Sequence, residues 1–542
     1  MQQRITINLN TDSKTTDKTT ILEYCRSHGI AGIETPCGGK GTCGKCKVTV
    51  TKPYCKDVLA CQTKICDGME IIVGGKESTI DKEDSMVVLT NGGSISEKFN
   101  EHVNRNVVLK EETANEHEKA ESNEGTLAAC DIGTTTVVCY LIDKETGQII
   151  AVRSGANPQR SFGADVLSRI DAAARADDND KANGGLQLMQ SQIVSLLNGF
   201  ISEMLTECGR TKVSRFSVAG NTVMCHLLMG ISPEKLGKAP FMPDEYFGRE
   251  FNPLDIGLEN CQTMIIFPAV SGFVGGDITA GMMETVNCNE LTLYLDIGTN
   301  GEMALGKGDR YVCCATAAGP AFEGAQIELG MPASKGAVDK VWLEGRRIKY
   351  SVIGNDRPVG LCGSGLIDAL AVLLKAGIID ENGTILSGQE LPILFRSYVF
   401  EVEAEETAQS TELSLAVHIA PGVYITQEDI RKLQLAKGAI AAGIEVLFKE
   451  YGCMPCNIDV LTFAGGFGNY IDKASAAAIG LFPQELLDKA KEVGNAAGNG
   501  AVSAALSQEA WERALEIGGN MRYIELASYP HFNEMYVEHM NF

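Results

Sequence analysis

One short pattern occurs twice in this chain, and it constrains the fold more than any other feature of the sequence. TLAACDIGTTTVVCYLIDKETGQII begins at residue 126, and LTLYLDIGTNGEMALGKGDRYVCC begins at residue 291. Each string runs from an apolar strand through a Gly-containing turn into a second apolar strand. The aspartates of the two Asp-Ile-Gly-Thr motifs, Asp131 and Asp296, lie 165 residues apart, which suits a half-domain. The sequence therefore predicts a duplicated α/β fold of two related lobes with a ligand cleft between them.

The repeated turn has the chemistry of a phosphate site. Its glycine lets the backbone approach a phosphate, and the hydroxyl and N–H groups that follow donate hydrogen bonds to phosphate oxygens. The residues predicted to hold phosphates are Gly133, Thr134, Thr135, Gly298, Thr299 and Asn300. An aspartate would repel phosphate and instead suits Mg²⁺ or its waters. We predict that Asp131 and Asp296 position Mg²⁺ and the attacking water, and that Glu302 polarises that water.

A third glycine-rich motif follows the apolar string IDVLTF. It reads Phe-Ala-Gly-Gly-Phe-Gly-Asn over residues 463–469, and glycines at the end of a strand let a flat ring and a ribose lie against bare backbone. We predict that Gly465, Gly466 and Gly468 back the nucleoside. The chain contains neither a P-loop nor a dinucleotide fingerprint. Two ordinary β-turns are the alternative interpretation of the repeated motif.

Seven of the 18 cysteines fall in the first 66 residues, which indicates metal or redox chemistry at this end of the chain. The string PCGGKGTCGKCKV places Cys37, Cys43 and Cys46 in a Cys-x5-Cys-x2-Cys pattern. A 2Fe–2S ferredoxin cluster takes three thiolates from one such loop and a fourth from a distant segment. Glycines within the loop permit the sharp turns that aim backbone N–H groups at the sulfurs.

The fourth cluster ligand has three candidates. The string LACQT around Cys61 resembles the fourth-ligand segment of ferredoxins, so Cys61 is the predicted ligand. The gap of 14 residues from Cys46 is short for such domains, and this leaves Cys55 and Cys66 open. A zinc site is the competing interpretation, but it favours pairs of Cys-x2-Cys and this region contains one.

Composition and charge divide the chain and exclude some partners. The predicted organisation is a 2Fe–2S ferredoxin-type domain over 1–75, an acidic linker over 76–125, ATPase lobe I over 126–290 and ATPase lobe II over 291–542. The linker carries twelve acidic against six basic residues. A net charge of −23 argues against nucleic-acid binding. No apolar run is long enough to cross a membrane, and the N-terminus lacks the regions of a signal peptide, so we expect a cytoplasmic protein.

Several other polar residues either face the predicted cleft or serve structure. Asp277 and Asp368 lie beside small-residue turns, where a helix N-cap and a cleft residue are equal alternatives. Asn157 and Asp165 slightly favour the cleft. His226 follows an apolar strand and favours a core position over a role as a cobalt ligand.

The phosphate and nucleoside motifs, in this order, resemble the phosphate-1, phosphate-2 and adenosine motifs shared by actin, sugar and acetate kinases and heat-shock chaperones. Joined to a ferredoxin domain, such an ATPase resembles the reductive activators of corrinoid proteins in methyltransferase systems. The resemblance also rests on NPQRSFGADVLSRI, VAGNTVMCHLL, SGFVGGDITAG, TAAGPAFEGAQI, GLCGSGLIDAL and RYIELASYPHFNEMY. It implies a β-grasp ferredoxin domain, an actin-like ATPase fold, a 2Fe–2S cluster and Mg-ATP.

The function implied by this resemblance is ATP-dependent one-electron reduction of an inactive Co(II) corrinoid protein to Co(I). The implied partners are that corrinoid protein and a low-potential electron donor, and a homodimer is left open. An activator of acyl-CoA dehydratases or reductases is one alternative. Activators of that kind lack a ferredoxin domain, but they use cysteines inside the ATPase domain, so Cys453 and Cys456 leave this alternative open. A redox or nucleotide switch without turnover and a metabolite kinase are the others.

Overall fold

The computed structural model describes residues 3–7, 19–27, 33, 46–52, 56–73, 125–174, 184–298, 300–403, 413–465 and 470–542. The predicted acidic linker, except for Gly125, lies outside these residues, as do the short strands that its apolar strings suggest. Five predicted site residues also lie outside them: Cys37, Cys43, Thr299, Gly466 and Gly468. Among the helices that are described, none combines the length and the apolar character that a bilayer crossing requires.

The N-terminal segment forms a four-stranded sheet with one helix. Its strands are β1 Gln3–Thr6, β2 Lys47–Lys52, β3 Lys56–Leu59 and β4 Glu70–Val73, and its helix is α1 Ile21–Ser27. The strand order is β1-β4-β2-β3, and each pairing is antiparallel. Ile21, Val50 and Ile71 are fully buried in its core. The strings RITINLN, KCKVTV and GMEIIV predict three strands, and the helical spacing of TILEYCRSHGI predicts the helix. β3 is an additional strand that completes a hairpin with β2.

The next segment is built on a six-stranded sheet of order β7-β6-β5-β8-β10-β9. Its strands are β5 Thr126–Ile132, β6 Thr136–Asp143, β7 Ile149–Ala156, β8 Val213–Gly220, β9 Arg249–Phe251 and β10 Cys261–Ile266. Its helices are α2 Val166–Ala174, α3 Gly185–Glu207, α4 Thr222–Met229 and α5 Gly276–Thr285. Apolar side chains of α2, α3 and α4 pack on one face of this sheet, which gives it a core of its own.

The C-terminal segment contains a second six-stranded sheet and two three-stranded sheets. Its strands are β11 Thr292–Ile297, β12 Gly301–Lys307, β13 Arg310–Thr316, β14 Ala337–Glu344, β15 Arg347–Val352, β16 Gly360–Leu361, β17 Val399–Glu403, β18 Leu413–Ala420, β19 Val423–Thr426, β20 Val460–Ala464, β21 Ala490–Glu492 and β22 Met521–Tyr523. Its helices are α6 Gly363–Lys375, α7 Gln427–Tyr451, α8 Lys473–Ala478, α9 Ala496–Leu506, α10 Gln508–Asn520 and α11 Phe532–Glu538. The large sheet has the order β21-β20-β11-β12-β13-β22, and α7 starts at a capping box between Thr426 and Asp429.

The two large sheets repeat one arrangement, as the duplicated motif predicts. β5 pairs antiparallel with β6 and parallel with β8, while β11 pairs antiparallel with β12 and parallel with β20. In each sheet the third strand of the meander follows on the outer side. The Asp-Ile-Gly-Thr turns occupy equivalent hairpins, so the internal duplication predicted from the sequence is confirmed.

Contacts divide the chain into two compact units. The first comprises Met1–Ala280 and Ala497–Gly518, and the second comprises Gly281–Ala496 and Gly519–Phe542. Within the first unit, Arg26 of helix α1 donates from Nε to the carbonyl oxygen of Ser161 at 2.9 Å. Its guanidinium lies 5.0 Å from the centre of the Phe162 ring. A residue of the N-terminal domain therefore contacts the segment that follows β7.

Candidate nucleotide and iron–sulfur sites

The first Asp-Ile-Gly-Thr turn, residues 133–136, joins β5 to β6 and is called here the phosphate-1 turn. Gly133 donates its N–H to the carbonyl oxygen of Thr136 at 3.0 Å. A Cβ atom at Gly133 would lie 2.6 Å from that same oxygen, so the tight turn excludes any larger residue. Asp131 lies in register with Val138 on β6 and with Ala219 on β8, and its side chain is partly exposed.

Two residues downstream of β7 bind the carbonyl oxygens of the phosphate-1 turn. Asn157 donates from Nδ2 to the oxygen of Gly133 at 2.8 Å and from its backbone N–H to the oxygen of Thr135 at 2.9 Å. Arg169 of α2 donates from Nη2 to the oxygen of Thr134 at 2.5 Å. Asn157 and Arg169 are 1% and 0% exposed. We call residues 157–169 the brace segment, because it holds successive carbonyls of the turn.

Asp277 and Asp131 both belong to the first unit, and both act electrostatically on Cys225. Burial raises the pKa of the Cys225 thiol, and the charges of Asp277 and Asp131 raise it further. Burial also raises the pKa of Asp277 to about 6. Its Oδ1 accepts the N–H of Ile278 in the first turn of α5, one residue inside the helix start, so it is not the N-cap.

The second Asp-Ile-Gly-Thr turn joins β11 to β12 in the second unit. Gly298 donates its N–H to the oxygen of Asn300 at 2.8 Å. Asp296 and Glu302 are directly opposite each other across the two strands. Two like charges in such a pair repel each other unless a cation or a proton lies between them, so the pair suits Mg²⁺ or an attacking water. A Cβ atom at Gly298 would lie 3.7 Å from Oε1 of Glu323, which adds a carboxylate that the sequence analysis did not single out.

Gly465 brings the predicted nucleoside motif to the same aspartate. Ala464, at the end of β20, is in register with Asp296 of β11. Gly465 follows with a φ of +80°, and a Cβ atom there would lie 2.4 Å from Oδ1 of Asp296. The absence of a side chain at this position therefore leaves room for the aspartate carboxylate.

In the N-terminal domain, the structure brings two of the predicted cluster ligands together. The Sγ atoms of Cys46 and Cys61 lie 3.1 Å apart, and Ala60 donates its N–H to the oxygen of Cys46 at 2.8 Å. Two thiolates on one tetrahedral metal ion lie roughly 3.8 Å apart, given metal–sulfur bonds of about 2.3 Å. The pair fits ligation of a single iron with a small adjustment. Cys66 is partly exposed, and Cys55 lies outside the described residues.

Comparison with known families accounts for most of the chain. Three family profiles match it: a 2Fe-2S iron-sulfur cluster binding domain over residues 7–66, the RACo middle region over 127–287, and the C-terminal domain of RACo, the ASKHA domain, over 290–542. The corrinoid activation enzyme RamQ of Eubacterium limosum is 32% identical, and the alignment covers 95% of each chain. This chain belongs to the RACo family.

Two further RACo relatives support the assignment. The [Co(II) methylated amine-specific corrinoid protein] reductase of Methanosarcina barkeri is 26% identical over 76% of this chain and 75% of its own. A solved structure of a reductive activator for a corrinoid, iron-sulfur protein is 30% identical and superimposes with a TM-score of 0.65, covering 97% of this chain and 96% of that one. The fold class predicted from the sequence, a 2Fe–2S ferredoxin domain joined to an actin-like ATPase domain, is confirmed.

The remaining polar candidates of this RACo chain have structural partners. His226 is fully buried and donates from Nδ1 to the oxygen of Thr222 at 2.8 Å, which agrees with the core interpretation. Asp368 lies inside α6, away from the N-cap, and accepts the N–H of Val341 at 3.2 Å. Asp165 directly precedes α2 and accepts the N–H of Ser168 at 2.7 Å, so it caps that helix.

The second cysteine pair lies in another part of the fold. Cys453 and Cys456 follow α7, where Cys456 is exposed and Cys453 is partly buried. Burial raises the pKa of the Cys453 thiol, which disfavours the thiolate that binds metals and attacks disulfides. Within the described residues, no group of three or more His, Cys, Asp or Glu side chains converges on a metal-sized point.

Proposed function

We propose that this chain is an ATP-dependent reductive activator that transfers one electron to an inactive Co(II) corrinoid protein and so regenerates Co(I) for methyl transfer. The observation that carries the proposal is similarity along nearly the whole chain to relatives named for corrinoid activation and Co(II) corrinoid reduction. The cysteine pair and the phosphate-1 turn described above supply the two sites that this activity requires.

The cysteines of the N-terminal domain would hold the 2Fe–2S cluster, which supplies a one-electron donor when bound. The proximity of Cys46 and Cys61 supports Cys61 as the fourth ligand. Cys37 and Cys43 complete the proposed set. The buried backbone around Cys46 and Ala60 excludes water from one side of this pair and fixes the separation of the two sulfurs.

In the ATPase domain, the described turns would bind the phosphates of Mg-ATP through their N–H groups. Asp131 and Asp296 would hold Mg²⁺ or its waters, and Glu302 would orient and polarise the attacking water. We add Asp277 and Glu323 to this set, because the charge of Asp277 acts together with that of Asp131 on Cys225, and Glu323 lies beside Gly298. Gly465 would back the nucleoside with Gly466 and Gly468.

ATP is needed because Co(I) is a strong reductant, so the transfer is unfavourable. Each 59 mV of one-electron deficit reduces the equilibrium constant about tenfold, which corresponds to about 1.4 kcal/mol. ATP changes this balance only if the protein binds it more tightly in the state that favours the reduced product. The low-potential electron donor, a homodimer and a cytoplasmic location, all predicted from the sequence, remain predictions.

The decisive experiment is an anaerobic reduction of a Co(II) corrinoid protein from the same genome. The chain, with its cluster reduced, is mixed with this substrate, and the Co(I) absorption band is followed with Mg-ATP, without nucleotide, and with a non-hydrolysable ATP analogue. A band that requires hydrolysable ATP supports the proposal. The absence of a band, with the cluster intact and ATP bound, would refute the proposed pairing and favour a nucleotide switch or another acceptor.

A further inference from the structure

The brace segment fixes the direction in which the phosphate-1 turn presents its N–H groups. In a trans peptide, the carbonyl of one residue and the N–H of the next point in opposite directions. The carbonyls of Gly133, Thr134 and Thr135 all point to donors of the brace segment. The N–H groups that share these peptide units therefore point to the opposite side of the turn.

The N–H groups of Thr134 and Thr135 are available to a ligand. Within the described residues, no hydrogen bond from the backbone N–H of Thr134 or Thr135 is found, while that of Gly133 closes the turn. Successive backbone N–H groups that converge on one side of a turn bind anions. Contacts with the brace segment therefore explain why this Gly-containing turn is oriented as a phosphate site.

Arg169 adds a positive charge directly behind the turn. It is 0% exposed, and its other contacts are the carbonyl of Gly163 at 3.0 Å and the sulfur of Met224 at 3.0 Å. No ion pair of Arg169 is found among the described residues, and the oxygens of its charged neighbour, Asp165, accept hydrogen bonds from Ser168. Burial, and after it the charge of Arg160, lowers the pKa of Arg169 to about 9. An anion on the far side of the Thr134–Thr135 peptide would compensate the buried charge of Arg169.

We propose that Asn157 and Arg169 are positioning residues that orient the phosphate-1 turn, and that the buried guanidinium makes ATP affinity depend on the charge of the phosphate chain. The inference deepens the proposed function, since it assumes that this turn binds the nucleotide. Arg169 acts through the Thr134 peptide and contacts no substrate atom itself. Its removal should therefore cost affinity in proportion to the number of phosphates on the ligand.

The test measures binding of adenosine, ADP and ATP with Mg²⁺ to the full chain by anaerobic calorimetry. In Arg169→Gln, ATP affinity should fall about 10- to 100-fold, the effect of losing one charged hydrogen bond. ADP affinity should fall less, and adenosine affinity should not change. Arg169→Lys keeps the charge but loses the planar fork, so it should be intermediate. Asn157→Ala removes one neutral donor and should lower ATP affinity about fivefold.

Arg160→Gln is the matched control. Arg160 belongs to the same segment and lies close enough to affect the charge of Arg169, but its side chain makes no contact with the turn among those described. If Arg160→Gln lowers ATP affinity as much as Arg169→Gln, bulk charge explains the effect and the inference fails. It also fails if Arg169→Gln and Asn157→Ala weaken adenosine as much as ATP.

The two proposals can fail separately. A wild-type chain that binds ATP with this phosphate dependence but gives no ATP-dependent Co(I) would refute the proposed function and leave the positioning role intact. A wild-type chain that reduces the corrinoid protein with ATP, while Arg169→Gln keeps full ATP affinity, would refute the positioning role alone. A wild-type chain that binds no nucleotide would refute both.

Discussion

Substitution of Gly465 tests whether Asp296 serves the nucleotide. A second glycine variant separates the effect of backbone strain from the effect of the contact with Asp296. Gly465→Ala would place a Cβ atom 2.4 Å from Oδ1 of Asp296. Ordinary contacts between carbon and oxygen have a length of about 3.3 Å, so the carboxylate must move by roughly 0.9 Å. Displacements of this size in a catalytic group reduce rates about 100-fold. We expect Gly465→Ala to lose ATP hydrolysis by about that factor and to bind Mg-ATP more weakly.

Alanine in this left-handed conformation also has a cost that is unrelated to the site. The strain is about 1–2 kcal/mol for an L-residue. Gly452 has nearly the same φ, +79° against +80° for Gly465, and a Cβ atom at Gly452 would meet nothing within 4 Å. Gly452→Ala therefore introduces comparable backbone strain without the contact, and we expect it to lose less free energy of unfolding than Gly465→Ala, which also displaces the Asp296 carboxylate.

The assay combines urea unfolding with steady-state ATP hydrolysis and nucleotide binding for the wild type and both variants. The reasoning predicts a smaller loss of stability in Gly452→Ala and a loss of hydrolysis in Gly465→Ala only. If Gly465→Ala hydrolyses ATP as Gly452→Ala does, Asp296 has no role that depends on its position. If Gly452→Ala loses hydrolysis to the same extent, backbone strain alone explains the effect and the contact with Asp296 is irrelevant.

Three other predictions follow from the same geometry. Cys61→Ser should abolish assembly of the 2Fe–2S cluster and Cys66→Ser should preserve it, as measured by iron content and visible absorption after reconstitution; the reverse result would exchange their roles. Glu302→Gln should slow hydrolysis about 100- to 10,000-fold while ATP still binds, and unchanged turnover would exclude a role in activating water. Burial raises the pKa of Asp277 to about 6, so the folded state favours the protonated carboxyl. Its contribution to stability is therefore fully present below about pH 4 and is lost as the pH rises through 6. Asp277→Asn should therefore stabilise the nucleotide-free protein by up to about 3 kcal/mol at pH 8 in urea unfolding, and an equal gain at pH 4 would contradict the assigned cause.

The sequence predicted the parts of the site that are encoded locally. The hairpins around Asp131 and Asp296 combine apolar alternation with a glycine that the turn requires, and both signals lie within a dozen residues. The position of Cys61 beside Cys46 is different, because spacing alone does not fix which cysteine approaches the loop. Identifying this cysteine required the position of strand β3, which the sequence did not predict and which leads the chain to Ala60.

The brace was not predicted, because it depends on tertiary packing. Arg169 contacts a turn 35 residues earlier in the chain, and no periodicity links the two positions. One signal was present: Arg169 falls between Val166 and Ile170 on the buried side of α2, where a charged residue needs a specific partner. Asn157 carries no comparable signal, since an asparagine before a proline is also typical of an ordinary cap.

The contact of Arg26 with Ser161 and Phe162 gives the brace segment a second connection, to the domain that carries the cluster cysteines. Thermodynamic linkage makes such a connection reciprocal. If bound nucleotide changes the free energy of this docking contact, then docking changes the free energy of nucleotide binding by the same amount. Nucleotide binding and docking of the N-terminal domain can thus affect each other without any residue that contacts both ligands.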